Sequence, residues 1–98
     1  MAYSEVRTPS SIRGVFDGVQ ATTGGIGIDE GDKLLFIGVG SGWTGTVQIK
    51  VTCNGLEGKY GSDITTDNLT VIELPAQCVV NVECSAFTAG TYTYVLKK

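Results

Sequence analysis

Gly42-Trp43-Thr44-Gly45-Thr46-Val47-Gln48-Ile49-Lys50-Val51-Thr52-Cys53-Asn54-Gly55 is the stretch that decides the fold class. From Thr46 to Cys53 polar and apolar side chains alternate strictly, and β-branched residues dominate. A period of two sets Val47, Ile49, Val51 and Cys53 on one face of a strand, with Thr46, Gln48, Lys50 and Thr52 on the other. Asn54-Gly55 is the strongest short hairpin signal in the chain, and Leu56 to Tyr60 can return alongside.

The pattern extends in both directions. Ile12 to Ala21 reads as a weak strand loosened by two glycines, and Ile26-Gly27-Ile28 as a short one. Leu34 to Val39 is apolar at every position but Gly38, so it belongs either to a central strand or to one whose outer face a partner covers. Gly40-Ser41-Gly42 reads as a turn, residues 61–63 and 65–67 as loops, and Asn68 to Leu74 as a strand stopped by Pro75. Cys78 to Ala86 and Thr91 to Lys97 are two further strands, joined through Phe87-Thr88-Ala89-Gly90. No window has helical periodicity of useful length. The expectation is a single all-β domain over residues 12–98, preceded by a polar N-terminal arm, residues 1–11. Its form is a β-sandwich (jelly-roll or Ig-like) of about seven short antiparallel strands.

Composition narrows the function. The 98 residues carry seven basic and ten acidic side chains and a formal net charge of −3. With no basic cluster beyond Lys97-Lys98, the electrostatic footprint of a nucleic-acid binder is missing. Histidine, the commonest general base and metal ligand, does not occur. Ser and Cys therefore have no imidazole to activate them as nucleophiles. The longest apolar stretch, Leu34 to Val39, is far short of the ~20 residues of a membrane helix. The first nine residues have no apolar run of the signal-peptide kind, which leads to an expectation of synthesis in a cytoplasm.

Cys53, Cys78 and Cys84 each fall in phase with apolar neighbours. The expectation is three inward-facing, reduced thiols of low reactivity. Asp29-Glu30-Gly31-Asp32 lacks the oxygen spacing of a calcium loop and reads as a solvated turn. Asp63 and Asp67 read as turn caps rather than a glycosidase pair. Trp43, the single tryptophan, has two readings: a plug closing one end of the core, or a surface that stacks on a sugar ring or anchors a partner. Eight glycines form no phosphate-binding loop, because no helix follows any of them. Neither a cofactor nor a metal is expected.

Trp43 to Val51, a glycine hairpin, Ile72-Glu73-Leu74-Pro75-Ala76, and Ala86-Phe87-Thr88-Ala89-Gly90-Thr91-Tyr92-Thr93-Tyr94-Val95-Leu96 form a larger pattern. It resembles small tailed-bacteriophage structural proteins, with their Trp-x-Gly-Thr-Val strand, Leu-Pro-Ala turn and closing Gly-Thr-Tyr-Thr strand. The resemblance covers roughly residues 25–98 and departs at Gln77 and at Asn54-Gly55-Leu56. It implies a virion part, most like a capsid decoration (cement) protein that binds the outer surface of the major capsid protein shell without catalysis. Read with the apolar strand, it leads to an expected homo-oligomer, a trimer, on the capsid. Its candidate interface is Trp43, Leu35, Ile37, Val39 and, on an arm laid across a neighbour, Tyr3. The rival expectations are a tail or head-fibre module and a carbohydrate-binding β-sandwich module.

Overall fold

The computed structural model describes residues 11–22, 25–74 and 77–98. The described residues form an all-β fold without a helix. Its strands are β1 (Ser11–Phe16), β2 (Gln20–Ala21), β3 (Ile26–Ile28), β4 (Lys33–Cys53), β5 (Leu56–Ile64), β6 (Asn68–Glu73) and β7 (Cys78–Lys97). All pairings are antiparallel within one seven-stranded sheet. Its centre is the β4–β7 pair, with strands of 21 and 20 residues.

Each long strand serves two halves of the sheet. The first half of β4 lies between β6 and the second half of β7, and β1 pairs on the far side of β7. The second half of β4 lies between β5 and the first half of β7, where β2 and β3 add short edges. The inner faces of both halves share one core. Phe16, Leu34, Phe36, Ile72, Tyr92, Tyr94 and Leu96 come from one half, and Ile26, Ile28, Val47, Ile49, Ile64, Val80 and Val82 from the other. The result is a small β-sandwich-like fold made from one sheet doubled over, as the alternation predicts.

The doubling happens inside β4 and β7. Their register shifts between Ser41 and Thr44 and twice more before Val47. Such bulges bend a strand and re-aim its side chains. Before the corner the even positions Leu34 and Phe36 face the core; after it the odd positions Val47 and Ile49 do. Gly42 has φ 59° and Gly90 φ 85°, and a Cβ on Gly90 would meet the Gly42 carbonyl. Only glycine combines that backbone conformation with so close an approach. The expected turns at Gly40-Ser41-Gly42 and Phe87–Gly90 are thus corners within continuous strands. The expected strand Ile12–Ala21 is conversely broken into β1 and β2 at Asp17-Gly18-Val19, and Gly61-Ser62-Asp63 lies within β5. The 54–55 hairpin forms as predicted, with Asn54 at φ 55° and Gly55 at φ 83°. Of the N-terminal arm, residues 1–10 lie outside the described residues, and Ser11 is the first residue of β1.

The cysteine expectation is corrected. Cys53 and Cys78 form a disulfide, with Cα atoms 4.4 Å apart, and only Cys84 is a free thiol. Thr52 pairs with Val79, so Cys53 and Cys78 stand directly opposite at the end of the β4–β7 ladder. A close antiparallel pair at ~4.5 Å is compatible with a cross-strand bridge. Inward phasing put all three cysteines on core faces; the long-range register is what brings two of them together. Cys84 is buried, donates its thiol to the Ala86 carbonyl, and burial pushes its pKa up.

The bridge closes a 25-residue separation that contains all of β5 and β6. On the chain-entropy model such a crosslink is worth roughly 3.5 kcal/mol. Reduction of the folded protein, or the Cys53→Ala/Cys78→Ala double variant, should lower Tm by roughly 15–25 °C in a domain of this size. Differential scanning calorimetry with and without reductant checks this; an unchanged Tm contradicts it.

Candidate interaction surface

The two outer faces of the doubled sheet differ in chemistry. On the half built from β2, β3, β5 and the adjoining parts of β4 and β7, outward positions carry Gln48, Lys50, Thr52, Glu57, Lys59, Asn81 and Glu83, with Val79 the exposed apolar residue among them. Polar contacts tie them together. Lys50 Nζ lies 3.4 Å from Glu83, Lys59 Nζ donates to Asp63 at 2.7 Å, and Gln48 Nε2 donates to the same carboxylate at 2.9 Å. These hydrogen bonds, Lys59 first, hold the Asp63 carboxyl below its ordinary range.

The other half presents hydrocarbon. Its register places Lys97, Leu35 and Val71 in one row, Arg13, Val95, Ile37 and Leu69 in the next, and Val15, Thr93 and Val39 in a third. Seven apolar side chains thus adjoin on four neighbouring strands. Val15, Ile37, Val39, Leu69 and Val71 are exposed by 48, 37, 51, 67 and 55 %, and Leu35 and Val95 are half-buried. Contiguous apolar surface of this kind marks interaction sites. Leu34 and Phe36 are buried beneath it.

Three of the sequence-derived interface residues, Leu35, Ile37 and Val39, therefore share this face. Trp43 does not: it sits half-buried in the corner. Its ring lies 5.3 Å from Tyr92 and 5.8 Å from Phe87, at 54° and 55°. A Cβ on Gly40 would come within 2.7 Å of the Trp43 Cβ, and one on Gly45 within 2.6 Å of its Cζ2, so both glycines make room for the indole. The Trp43 Nε1–H is buried without a partner among the described residues. Tyr3 lies outside the described residues. Val95 shares with Thr91 and Thr93 a strand face that the sequence leaves as solvent or interface, whereas Val15, Leu69 and Val71 do not stand out in it. Their only local signal was apolar residues at outward positions in otherwise ordinary strands.

Beside Trp43, a shallow cleft of about 340 Å³ is lined by Gly40, Thr65, Thr66 and Asp67. Its polar groups hold the corner. Asp67 Oδ1 accepts from the Gly40 amide at 2.8 Å, and the Tyr92 hydroxyl donates to the Thr66 carbonyl at 2.9 Å. The acidic turn is self-capped: Asp29 N–H donates to Asp32 Oδ2 and Asp32 N–H to the Asp29 carbonyl, both at 3.0 Å. The Asp29 N–H on the carboxylate, helped by Lys98, holds the Asp32 carboxyl below its ordinary range. Aromatic neighbours of Trp43 are tilted to it and Tyr92 is fully buried, so the three rings offer no coplanar stacking platform. No family model, curated protein or solved structure matches the chain.

Tyr92 gives the corner a pH limit. Burial first, and the Asp67 carboxylate second, push its pKa from 10.0 to about 12. Between those values the unfolded chain gives up the proton and the folded one keeps it, so stability falls as pH rises through this window. The free energy of unfolding in urea should fall more steeply above pH ~10, Tyr92 adding at most ~1.4 kcal/mol per pH unit to the declines from Cys84 and Tyr94, whose pKa values burial also raises. Tyr92→Phe should make the decline above pH ~10 shallower; an identical slope in the variant would remove Tyr92 as a source.

Proposed function

We propose that this chain is a structural protein of a bacteriophage virion, a capsid decoration (cement) protein that binds the outer surface of the major capsid protein shell and reinforces it. It is made in the host cytoplasm, acts as a homo-oligomer, with a trimer the expected order, and works by attachment rather than turnover. The observation that carries this reading is the contrast between the outer faces. One is laced with ion pairs, while the other sets Leu35, Ile37, Val39, Leu69, Val71 and Val95 side by side. A small domain that leaves seven apolar side chains adjoining on one outer face is built to be covered. The Cys53–Cys78 bridge supports a place outside the cell, since such bridges persist in oxidising surroundings such as those of a released particle.

The test is attachment to decoration-free capsids of a phage that carries this gene. Ile37→Asp and Leu69→Asp should each weaken binding at least ~10-fold, the effect of losing an anchor at the centre of an interface. Lys50→Ala on the polar face should bind as the parent does. Absence of capsid binding by the parent chain, or equal binding by all three variants, would refute the reading.

A further inference from the structure

The apolar face is not uniform. At the end where β4 begins and β7 finishes, it dips into a groove of about 440 Å³ lined by Lys33, Leu34, Leu35, Val71, Lys97 and Lys98. The groove is apolar inside and lysine at its lip. Lys98 is engaged by Asp32 at 3.1 Å, whereas Lys33 and Lys97 have no ion-pair partner among the described residues. Such a site accepts a hydrocarbon knob with a carboxylate next to it.

The chain carries that knob itself. Leu56, just past the 54–55 turn, is 79 % exposed, more than any other large apolar side chain among the described residues. Glu57 follows it on the exposed edge strand β5, opposite Thr52. Groove and knob lie at the same end of the domain, because Asn54, Gly55 and Lys98 line one shared cleft. Leu56 nevertheless stands in solvent, so it does not fill the groove of its own chain.

Charge decides how copies meet. Arg13, Lys33 and Lys97 against Glu73 leave the apolar face net positive in a chain whose total is −3. Stacking that face on itself sets lysine on lysine. Seating the Leu56-Glu57 tip in the groove of another copy sets carboxylate on lysine and hydrocarbon on hydrocarbon.

We propose that two copies join by this unlike contact: Leu56 of one fills the groove floored by Leu35 and Val71 of the next, and Glu57 reaches Lys33 or Lys97. This names the self-association surface of the decoration reading and leaves the remainder of the face, around Ile37 and Leu69, for the shell. An unlike contact closes as a reciprocal pair or as a ring.

Sedimentation velocity on the full 98-residue chain, without capsids, tests it. The parent should sediment as an oligomer of the 10.3 kDa chain. Its association should weaken with added sodium chloride. Leu56→Asp on the turn and Val71→Asp in the groove should each reduce it to monomer. An equimolar mixture of the two should recover a species larger than monomer, because one intact tip then meets one intact groove. Lys97→Glu at the exposed lip is the second groove variant, should Val71→Asp lose its β circular dichroism. It should weaken association at least tenfold, and Glu57→Lys added to it should restore association. A monomeric parent, an oligomer indifferent to Leu56→Asp and Lys97→Glu, or a mixture that stays monomeric would each overturn the contact. A monomer that still binds capsids would fail this contact while leaving the decoration reading in place. An oligomer that ignores capsids would do the reverse.

Discussion

The antiparallel pairing of β4 with β7 is the constraint from which the rest of the domain follows. Neither strand can stay straight, because a flat sheet of such length would leave the inner face of each half in water. Bulges around Ser41–Thr46 and the opposed glycines Gly42 and Gly90 let both strands bend together, so that each half covers the other. Trp43 fills the crook of the bend over Gly40 and Gly45, and Asp67 caps the Gly40 amide there. At the open end the Cys53–Cys78 bridge clamps the same pair of strands. The short strands β1, β2, β3, β5 and β6 then add to the edges of a frame already set.

This economy has a consequence for surface chemistry. A sandwich made by doubling one sheet has two outer faces, and the chain treats them differently. The half bearing Lys50, Lys59, Asp63 and Glu83 is finished for water by mutual pairing of its charges. The half bearing Ile37, Val39, Leu69 and Val71 is not, although the core beneath it is complete without those side chains. Leu34, Phe36, Tyr94 and Leu96 fill the core, while Val15, Val39, Leu69 and Val71 add cross-strand contacts and leave most of their surface in water. An assembly role is the reading that gives those residues a physical task.

How much of this was legible in the sequence depends on how far apart the partners lie. Strict alternation from Thr46 to Cys53, and the Asn54-Gly55 turn, are local, and both were readable directly. So was the two-sided apolar run Leu34 to Val39, which suits a central strand, and β4 lies there between β6 and β7. Gly40-Ser41-Gly42 looked like a turn because glycine marks bends and ends of strands alike; only the unbroken ladder to β7 tells them apart. Inward phasing of Cys53 and Cys78 was local too, but their bridge depends on the β4–β7 register, which no short window contains. The same holds for the patch: that Leu69, Val71 and Val95 sit beside Ile37 follows from cross-strand register alone. Trp43 stayed ambiguous in the sequence because either reading needs a glycine-flanked tryptophan before a strand.

The central claim is that the apolar outer face is covered in the working assembly while the charged one stays in water. Hydroxyl-radical footprinting read by mass spectrometry, on the free chain and on the chain in its native particle, measures this residue by residue. The account predicts that Ile37, Val39 and Leu69 lose most of their labelling in the particle, with that of Lys50 and Lys59 unchanged. Equal labelling of Ile37 and Leu69 in the free and assembled states would contradict it.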